Sequence, residues 1–391
     1  MGTGERLAPR MAGAPEISAR AAVLIDAATG TALFAKNHDD EIPPASLTKL
    51  MTMRIAQAEI AAGRASLEEI VPIGVESWAQ SQPPFSSLMF LEPGQRVTLG
   101  ELLAGLAVPS GNDAAVAVAL RFAPSVQEFS AAMTREARRM GLSRTRFVEP
   151  AGISDLNVTT AAEFAAFSRA YLGAHPESLA RFHSMQEFSY PLERNATEAR
   201  RASPGTIRQT NNNPLLWTFP GADGLKTGYI PASGYNIALT AERNGTRFIA
   251  VILGAPTAED RARDGEALLT WAFDNFATVR PVAPLLAAEP LWQGAQRQAR
   301  LAIALPLDFT APADEAGRQL WFRVEIDGPL IAPLYAGQRV GWLVLADSEG
   351  EVRRAPLAAA EDYPAGGFFR RLFDRARLFL SRSLRSLFRV D

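Results

Sequence analysis

The sequence contains no cysteine, which excludes a disulfide framework, thiolate metal sites and a thiol nucleophile. Histidine is almost as scarce. His38, His175 and His183 are the three present, and none lies in an H-E-x-x-H pattern. A zincin is thereby excluded, and a histidine-based triad has three candidates to draw on. Of the 40 basic residues only Lys36, Lys49 and Lys226 are lysine, the other 37 being arginine. Arginine keeps its proton near neutral pH whereas lysine can lose it in a suitable environment. Each lysine is therefore worth inspecting, although Lys36 reads as an ordinary surface charge. No apolar run is long enough to span a bilayer. The net charge of −2 leaves no nucleic-acid footprint, and no nucleic-acid partner is expected.

What is present describes a folded chain. It has 391 residues, 47% hydrophobic and 21% charged, enough for two or three units. Charge is uneven: residues 366–391 hold seven arginines and two aspartates, a basic tail on an acidic body. Residues 1–20 lack the apolar segment of a secretory signal and read as a flexible lead-in. Strands are predicted at 22–26 and 31–36, and helices at 45–62, 99–107, 113–122, 160–172 and 265–276. Thr98-Leu99-Gly100-Glu101 and Thr160-Ala161-Ala162-Glu163 are capping boxes. Asn244-Gly245 between residues 235–242 and 247–253 signals a hairpin with a type I′ turn. With strands at both ends and helices between, residues 21–280 predict an α/β (α+β) domain built on an antiparallel sheet. Residues 281–362 predict a small all-β, sandwich-like domain, and 363–391 a linker followed by an amphipathic helix.

Three short motifs could carry chemistry. In Ser46-Leu47-Thr48-Lys49, serine and lysine stand at i and i+3 on one face of a helix start. The positive helix end there stabilises a developing alkoxide and disfavours an ammonium ion, so a neutral lysine can serve a serine nucleophile as base. Ser110-Gly111-Asn112 is a polar interruption between apolar helices; it can line a cleft, cap the following helix through Asn112 or Asp113, or do both. Lys226-Thr227-Gly228 reads as the strand wall of a cleft or as an edge strand guarded by a lysine. Alone each is weak. Together they occur in a fixed chain order and use two of the three lysines.

The set S-x-x-K, S-x-N and K-T-G resembles the signature of the serine penicillin-recognising enzymes, the penicillin-binding proteins and β-lactamases. The wider text of residues 44–49, 86–94, 110–114, 224–228 and 268–273, with 333–341 in the second domain, is similar to the low-molecular-mass D-alanyl-D-alanine carboxypeptidases. That resemblance implies a penicillin-recognising serine transpeptidase/β-lactamase-like domain that cleaves the terminal D-alanine from peptidoglycan stem peptides. It implies Ser46 as nucleophile, Lys49 as base and Ser110 as proton relay. Asn112 would hold the peptide, and the backbone N–H groups of Ser46 and Tyr229 would form the oxyanion hole. Lys226, Thr227 and Gly228 would meet the substrate carboxylate, with Arg261 (or its competitor Arg263) as a further contact. Tyr229 stands where many relatives have histidine, and Asn212 where relatives often place an arginine. β-Lactams would acylate Ser46; no cofactor or metal is implied.

The enzyme rival is a D,D-endopeptidase, which would share all three motifs. A β-lactamase would need a deacylating base, and no E-x-x-L-N segment exists; Glu149 in Glu149-Pro150-Ala151-Gly152 does not match one. A silent wall-binding scaffold is the alternative outside enzymes. In the tail, Phe369, Leu372, Phe373, Ala376, Leu380, Leu384, Leu387 and Phe388 recur at three- and four-residue steps among arginines. Residues 368–391 are therefore expected to lie on a membrane surface, the alternative being a helix docked on its own domain or on a second copy. The implied substrate puts the protein in the periplasm or on the outer face of the cytoplasmic membrane.

Overall fold

The computed structural model describes residues 13–198, 202–203 and 205–387, with side chains as far as residue 380. Most of the sequence-read lead-in (residues 1–12) and the end of the tail (388–391) lie outside the described residues. The chain divides into two compact units, with the boundary after Phe276.

The first unit is built on a five-stranded antiparallel sheet. Strands β1 (Ala21–Asp26) and β2 (Ala32–Lys36) come from the start of the chain. Helices α1 (Lys49–Ala61), α2 (Leu99–Ala107), α3 (Asn112–Phe122), α4 (Val126–Arg139) and α5 (Ala161–Ala174) follow. Strands β3 (Ala222–Ile230), β4 (Gly234–Arg243) and β5 (Thr246–Ala255), then helix α6 (Ala258–Asn275), close the unit. The sheet order is β2-β1-β5-β4-β3. The N-terminal strand thus pairs with the last one, in the register Ala22 opposite Ile252. The β4–β5 turn carries Asn244 at φ 50° and Gly245 at φ 75°, the two positive values a type I′ hairpin requires.

Strand β5 is almost wholly buried because helices cover both of its faces. Ile249, Val251 and Leu253 join α5 and the helical core around Leu50, Leu102 and Phe164. On the other face α6 lies so close that a Cβ on Gly265 would stand 3.0 Å from Leu239 and 3.6 Å from Ile252. Helix starts follow local capping chemistry. Thr98 and Glu101 form a full capping box. Thr160 accepts from the Glu163 N–H, but the Glu163 carboxylate turns to the Arg144 N–H and the Thr145 hydroxyl instead, so that box is half formed.

Three features depart from the sequence reading. Helix α6 begins at Ala258, not at residue 265, because Thr257 caps it by accepting from the Asp260 N–H. Helix α4, capped by Ser125, was not anticipated. The chain also joins the second unit earlier than residue 281: β6 (Phe276–Val279) already pairs with a strand of that unit.

The second unit contains β7 (Leu301–Ile303), β8 (Phe309–Pro312), β9 (Trp321–Ile326), β10 (Arg339–Asp347) and β11 (Gly350–Ala359). Strands β7, β11, β10 and β9 form one sheet in that order, and β6 pairs with β8. Its core gathers Phe309, Leu343, Leu345 and Leu357. Helix α7 (Phe368–Leu387) ends it. The start of α7 is fastened to this unit: the Asp374 carboxylate accepts from the Gln293 N–H at 2.7 Å, and Arg377 lies over the Trp292 ring. Phe369, Leu372, Phe373 and Leu380 remain exposed. No described helix is long and apolar enough to cross a membrane.

Candidate active site

The chain enters the site through Pro43-Pro44, pinned by Asn236 of β4. The Asn236 amide donates to the Pro43 carbonyl at 3.0 Å and its oxygen accepts from the Gly254 N–H. A single 3₁₀ turn, Ala45–Thr48, then leads into α1. Ser46 sits in this turn and Lys49 is the first residue of α1, so the i, i+3 spacing brings both side chains together. Lys49 Nζ lies 2.9 Å from Ser46 Oγ, 2.8 Å from Asn112 Oδ1 and 2.6 Å from the Ala151 carbonyl. A neutral amine fits this set: it donates to the two acceptor-only oxygens and turns its lone pair to the serine hydroxyl. Lys49 is fully buried, and that burial pulls it from the usual lysine value of 10.5 down to about 7, against the opposing pull of the Glu149 and Asp113 carboxylates.

The facing wall is the Ser110-Gly111-Asn112 turn. Ser110 adopts φ 64°, a left-handed conformation costly for a non-glycine residue. Its hydroxyl is buried and, among the described residues, has no hydrogen-bond partner. Gly111 is the N-cap of α3 and offers no side chain to cap it. Asn112 does not cap α3 but turns to Lys49, while the Asp113 carboxylate takes the first-turn Ala114 N–H together with the Met89 and Leu91 N–H groups. Asp113 thereby holds residues 87–91 against α3, an arrangement completed by the Asn112 N–H on the Ser87 carbonyl.

The third wall is β3, the edge strand of the sheet. Lys226 is buried and donates to the Thr227 carbonyl at 3.0 Å. Burial, reinforced by the charges of Lys49 and Arg261, holds its amine well below the usual lysine range. Gly228 packs against the Ser46 turn so closely that a Cβ would stand 2.8 Å from the Ser46 nitrogen. Only glycine allows that approach, and it carries the following residue, Tyr229, beside the nucleophile. The Tyr229 ring lies tilted against Tyr235, their centroids 4.3 Å apart. Arg261, on α6, donates to the Asn212 carbonyl at 3.2 Å, while its buried Nε has no partner among the described residues. The helix thus brings a guanidinium beside Asn212.

Ser46, Ser110, Thr227, Gly228, Tyr229 and Arg261 line one open cleft of about 1290 Å³. Arg263 lines it too, but its guanidinium is paired with Asp260 at 2.8 Å, which leaves Arg261 the freer of the two. Lys49, Asn112 and Lys226 lie buried behind the cleft wall. The histidines take no part in lining it. His183 is buried between the Tyr171 hydroxyl and the Leu225 carbonyl, where burial pushes it down to about 3. Lys36 bonds the Ile17 carbonyl. The sequence reading missed Asp113 as a brace, Glu149 and Gly152 behind the nucleophile, and the exposed aromatics Phe85 and Trp217 on the rim. Only Gly152, in a Pro-Ala-Gly turn, offered a local signal.

The profile described as D-alanyl-D-alanine carboxypeptidase matches residues 8–257. The chain is 33% identical over 367 residues to the D-alanyl-D-alanine carboxypeptidase DacC of Escherichia coli (strain K12), covering 92% of this chain and 88% of that one. Penicillin-binding protein 5 of Haemophilus influenzae superposes with a TM-score of 0.78 at 31% identity, over 90% of this chain and 98% of that one. Penicillin-binding protein D2 of Listeria monocytogenes, in its cefotaxime-bound form, matches with a TM-score of 0.57 at 28% identity, over 66% of this chain and 98% of that one. With the profile spanning most of the first unit and these likenesses extending through the second, the chain belongs to the D-alanyl-D-alanine carboxypeptidase family.

Proposed function

We propose that Ser46 and Lys49 carry the family's reaction in this chain: removal of the terminal D-alanine from peptidoglycan stem peptides through an acyl-enzyme. The observation that carries this reading is the buried amine of Lys49, 2.9 Å from Ser46 Oγ and brought down to about 7. Lys49 takes the hydroxyl proton as Ser46 Oγ attacks the penultimate D-alanine carbonyl carbon. The backbone N–H groups of Ser46 and Tyr229 receive the oxyanion. The C–N bond then breaks, and Ser110, whose hydroxyl is otherwise unpartnered, relays a proton to the departing amine. Water then attacks the ester and gives a proton to Lys49, which passes it to Ser46 Oγ as the C–Oγ bond breaks, and the shortened stem leaves as a carboxylate, its own proton going to solvent. Asn112 turns its oxygen to Lys49 and its NH₂ to the peptide. Lys226, Thr227 and the free Nε edge of Arg261 meet the terminal carboxylate, whose charge offsets the cost of a buried ammonium.

A β-lactam presents the same acyl-D-alanyl-D-alanine shape and acylates Ser46 by the first half of this sequence. The test is intact-mass spectrometry after incubation with penicillin, beside D-alanine release from a diacetyl-L-lysyl-D-alanyl-D-alanine peptide. A single penicilloyl adduct on Ser46 and its loss in Ser46→Ala are expected. Labelling that persists in Ser46→Ala overturns the assignment.

The same reading puts the enzyme outside the cytoplasmic membrane, where its substrate lies, with α7 in the membrane interface. Support comes from the exposed apolar residues Phe369, Phe373 and Leu380 and from the arginines of the tail, a composition suited to lying in the headgroup region. The docking alternative has support of its own at the start of the helix, through Asp374 and Arg377. The two are compatible, since those contacts use polar side chains and leave the apolar ones exposed.

A further inference from the structure

We propose that Glu149 is a positioning residue for the Ser46–Lys49 pair: its carboxylate builds the turn that supplies one of the oxygens around Lys49 Nζ, and its negative charge tunes the proton affinity of that amine. The inference rests on Lys49 being the base.

Four N–H donors converge on this one side chain at short range. Oε2 accepts from the Ala151 N–H at 2.7 Å. Oε1 accepts from the Gly152 N–H at 2.7 Å, the Ile153 N–H at 2.9 Å and the Asn157 amide at 2.7 Å. Ala151 therefore has its N–H on Glu149 and its carbonyl on Lys49, so a single residue separates the carboxylate from the base. The turn is clamped to the catalytic helix on both sides. Thr52 Oγ1 donates to the Pro150 carbonyl at 2.8 Å, and Asn157 reaches Thr48 Oγ1 at 3.2 Å. Gly152, at φ +83°, packs so tightly under the nucleophile that a Cβ would stand 1.9 Å from the Ala45 carbonyl oxygen. A shift of the Glu149 turn is thus transmitted to both Ser46 and Lys49.

The charged groups near Lys49 come from three elements. Glu149 stands on the turn and Asp113 on α3, both favouring the ammonium form. Lys226 stands on β3, where burial and the charge of Lys49 lower its own proton affinity. Asp113 is committed to the Met89 and Leu91 N–H groups on the facing wall. Glu149 is the carboxylate that both holds a Lys49 ligand in place and bears on its charge.

The test is the pH profile of Ser46 acylation by a fluorescent penicillin, for the wild type, Glu149→Gln and Glu149→Asp, with folding checked by circular dichroism. Without the carboxylate the ammonium form is less favoured, so Lys49 loses its proton at lower pH. Glu149→Gln is expected to move the acid limb down by about one pH unit. Its plateau should fall by about tenfold or more, because an amide cannot accept from all four donors and the pair loosens. Glu149→Asp keeps the charge on a shorter arm. Its midpoint should stay near that of the wild type while part of the plateau is recovered. A residue that only stabilised the fold would lower the plateau and leave the midpoint alone. An unmoved midpoint in folded, labelled Glu149→Gln overturns the proposal, and so does a Glu149→Asp midpoint that drops by about one unit. If Glu149→Gln does not fold, Glu149→Ala, which removes the charge and leaves room for water on the same N–H groups, is read in its place: a midpoint lower by about one unit supports the proposal and an unmoved one overturns it. A wild type that forms no adduct at all overturns the Ser46 reading and this inference with it.

Discussion

Replacing Lys49 by arginine separates charge from basicity. The wild-type amine falls from 10.5 to about 7 on burial, which corresponds to about 5 kcal/mol in favour of the neutral form. At pH 7.5 about three quarters of the enzyme then holds a neutral amine, against about one molecule in a thousand for an unperturbed lysine. Lys49→Arg places a permanent cation beside Asn112 and Ala151 and removes the lone pair that takes the Ser46 proton. Its planar head also has to enter a space shaped by three oxygens at 2.6 to 2.9 Å from a single nitrogen. Acylation should fall by about 10²–10⁴-fold, the usual contribution of a positioned base. The sign of the pH effect follows from the same number. Lys49 is protonated and inactive below about 7 and neutral above it, so wild-type acylation should climb from pH 5.5 to 8 and then level off. Lys49→Arg should be slow and flat across that range. Stopped-flow acylation by a fluorescent penicillin reads both quantities. A near-normal rate in Lys49→Arg, or a flat wild-type profile, refutes the reasoning.

Gly152→Ala would place a Cβ 1.9 Å from the Ala45 oxygen at a φ of +83°; we expect a loss of about 1–3 kcal/mol in chemical denaturation and a larger proportional loss in acylation than in stability, because Ser46 is displaced. Stability should also carry the signature of the buried lysine. Between about pH 7 and 10.5 the unfolded chain protonates Lys49 and the native one does not, so wild-type stability should rise with pH through that window relative to Lys49→Met; parallel urea midpoints for the two proteins at pH 7 and 9.5 contradict it. Deleting residues 368–391 should leave D-alanine release from a soluble peptide nearly unchanged, because the cleft is lined wholly by the first unit. The same deletion should abolish salt-sensitive co-sedimentation with anionic vesicles; truncated protein that sediments like the full chain removes the interfacial reading of α7.

The parts of the site legible in the sequence are those whose chemistry admits few residue types. A serine nucleophile needs a base within one helical turn, and a carboxylate pocket needs a cation on a strand that glycine lets pass the nucleophile, so Ser46, Lys49, Lys226 and Gly228 declare themselves. The supporting carboxylates do not. Asp113 and Glu149 act by collecting backbone N–H groups from turns, and nothing in their sequence neighbourhoods distinguishes them from surface acids. The fold shows the same division. Strands β1 and β5 and the β4–β5 turn have clear patterns. Helix α4 and the first turns of α6 are rich in charge and hide their apolar face. Strand β11 carries Arg353, Arg354 and Pro356 yet lies between β7 and β10. Proline argues against an interior strand, and here its carbonyl is still used, accepting from the Ala304 N–H.

The placement of two of the three lysines fits what the proposed reaction requires. Apart from Lys36, the chain uses arginine for its basic residues outside the site, as in the surface pairs with Glu136, Glu187 and Glu351. At positions 49 and 226 the side chain is sealed from water, and the proposed reaction requires its charge to change during the catalytic cycle. An ammonium at position 49 cannot accept the serine proton. At position 226 burial and the neighbouring cations disfavour the charged form while the cleft is empty, and a bound carboxylate favours it. Arginine, charged throughout, would impose the desolvation cost of a cation at both places and perform neither change. Arg261 tolerates its position because it keeps one edge on the Asn212 carbonyl and lines the open cleft, where a permanent charge is what an incoming carboxylate needs. The division of labour between two lysines and one arginine is therefore a division between groups that switch and a group that does not.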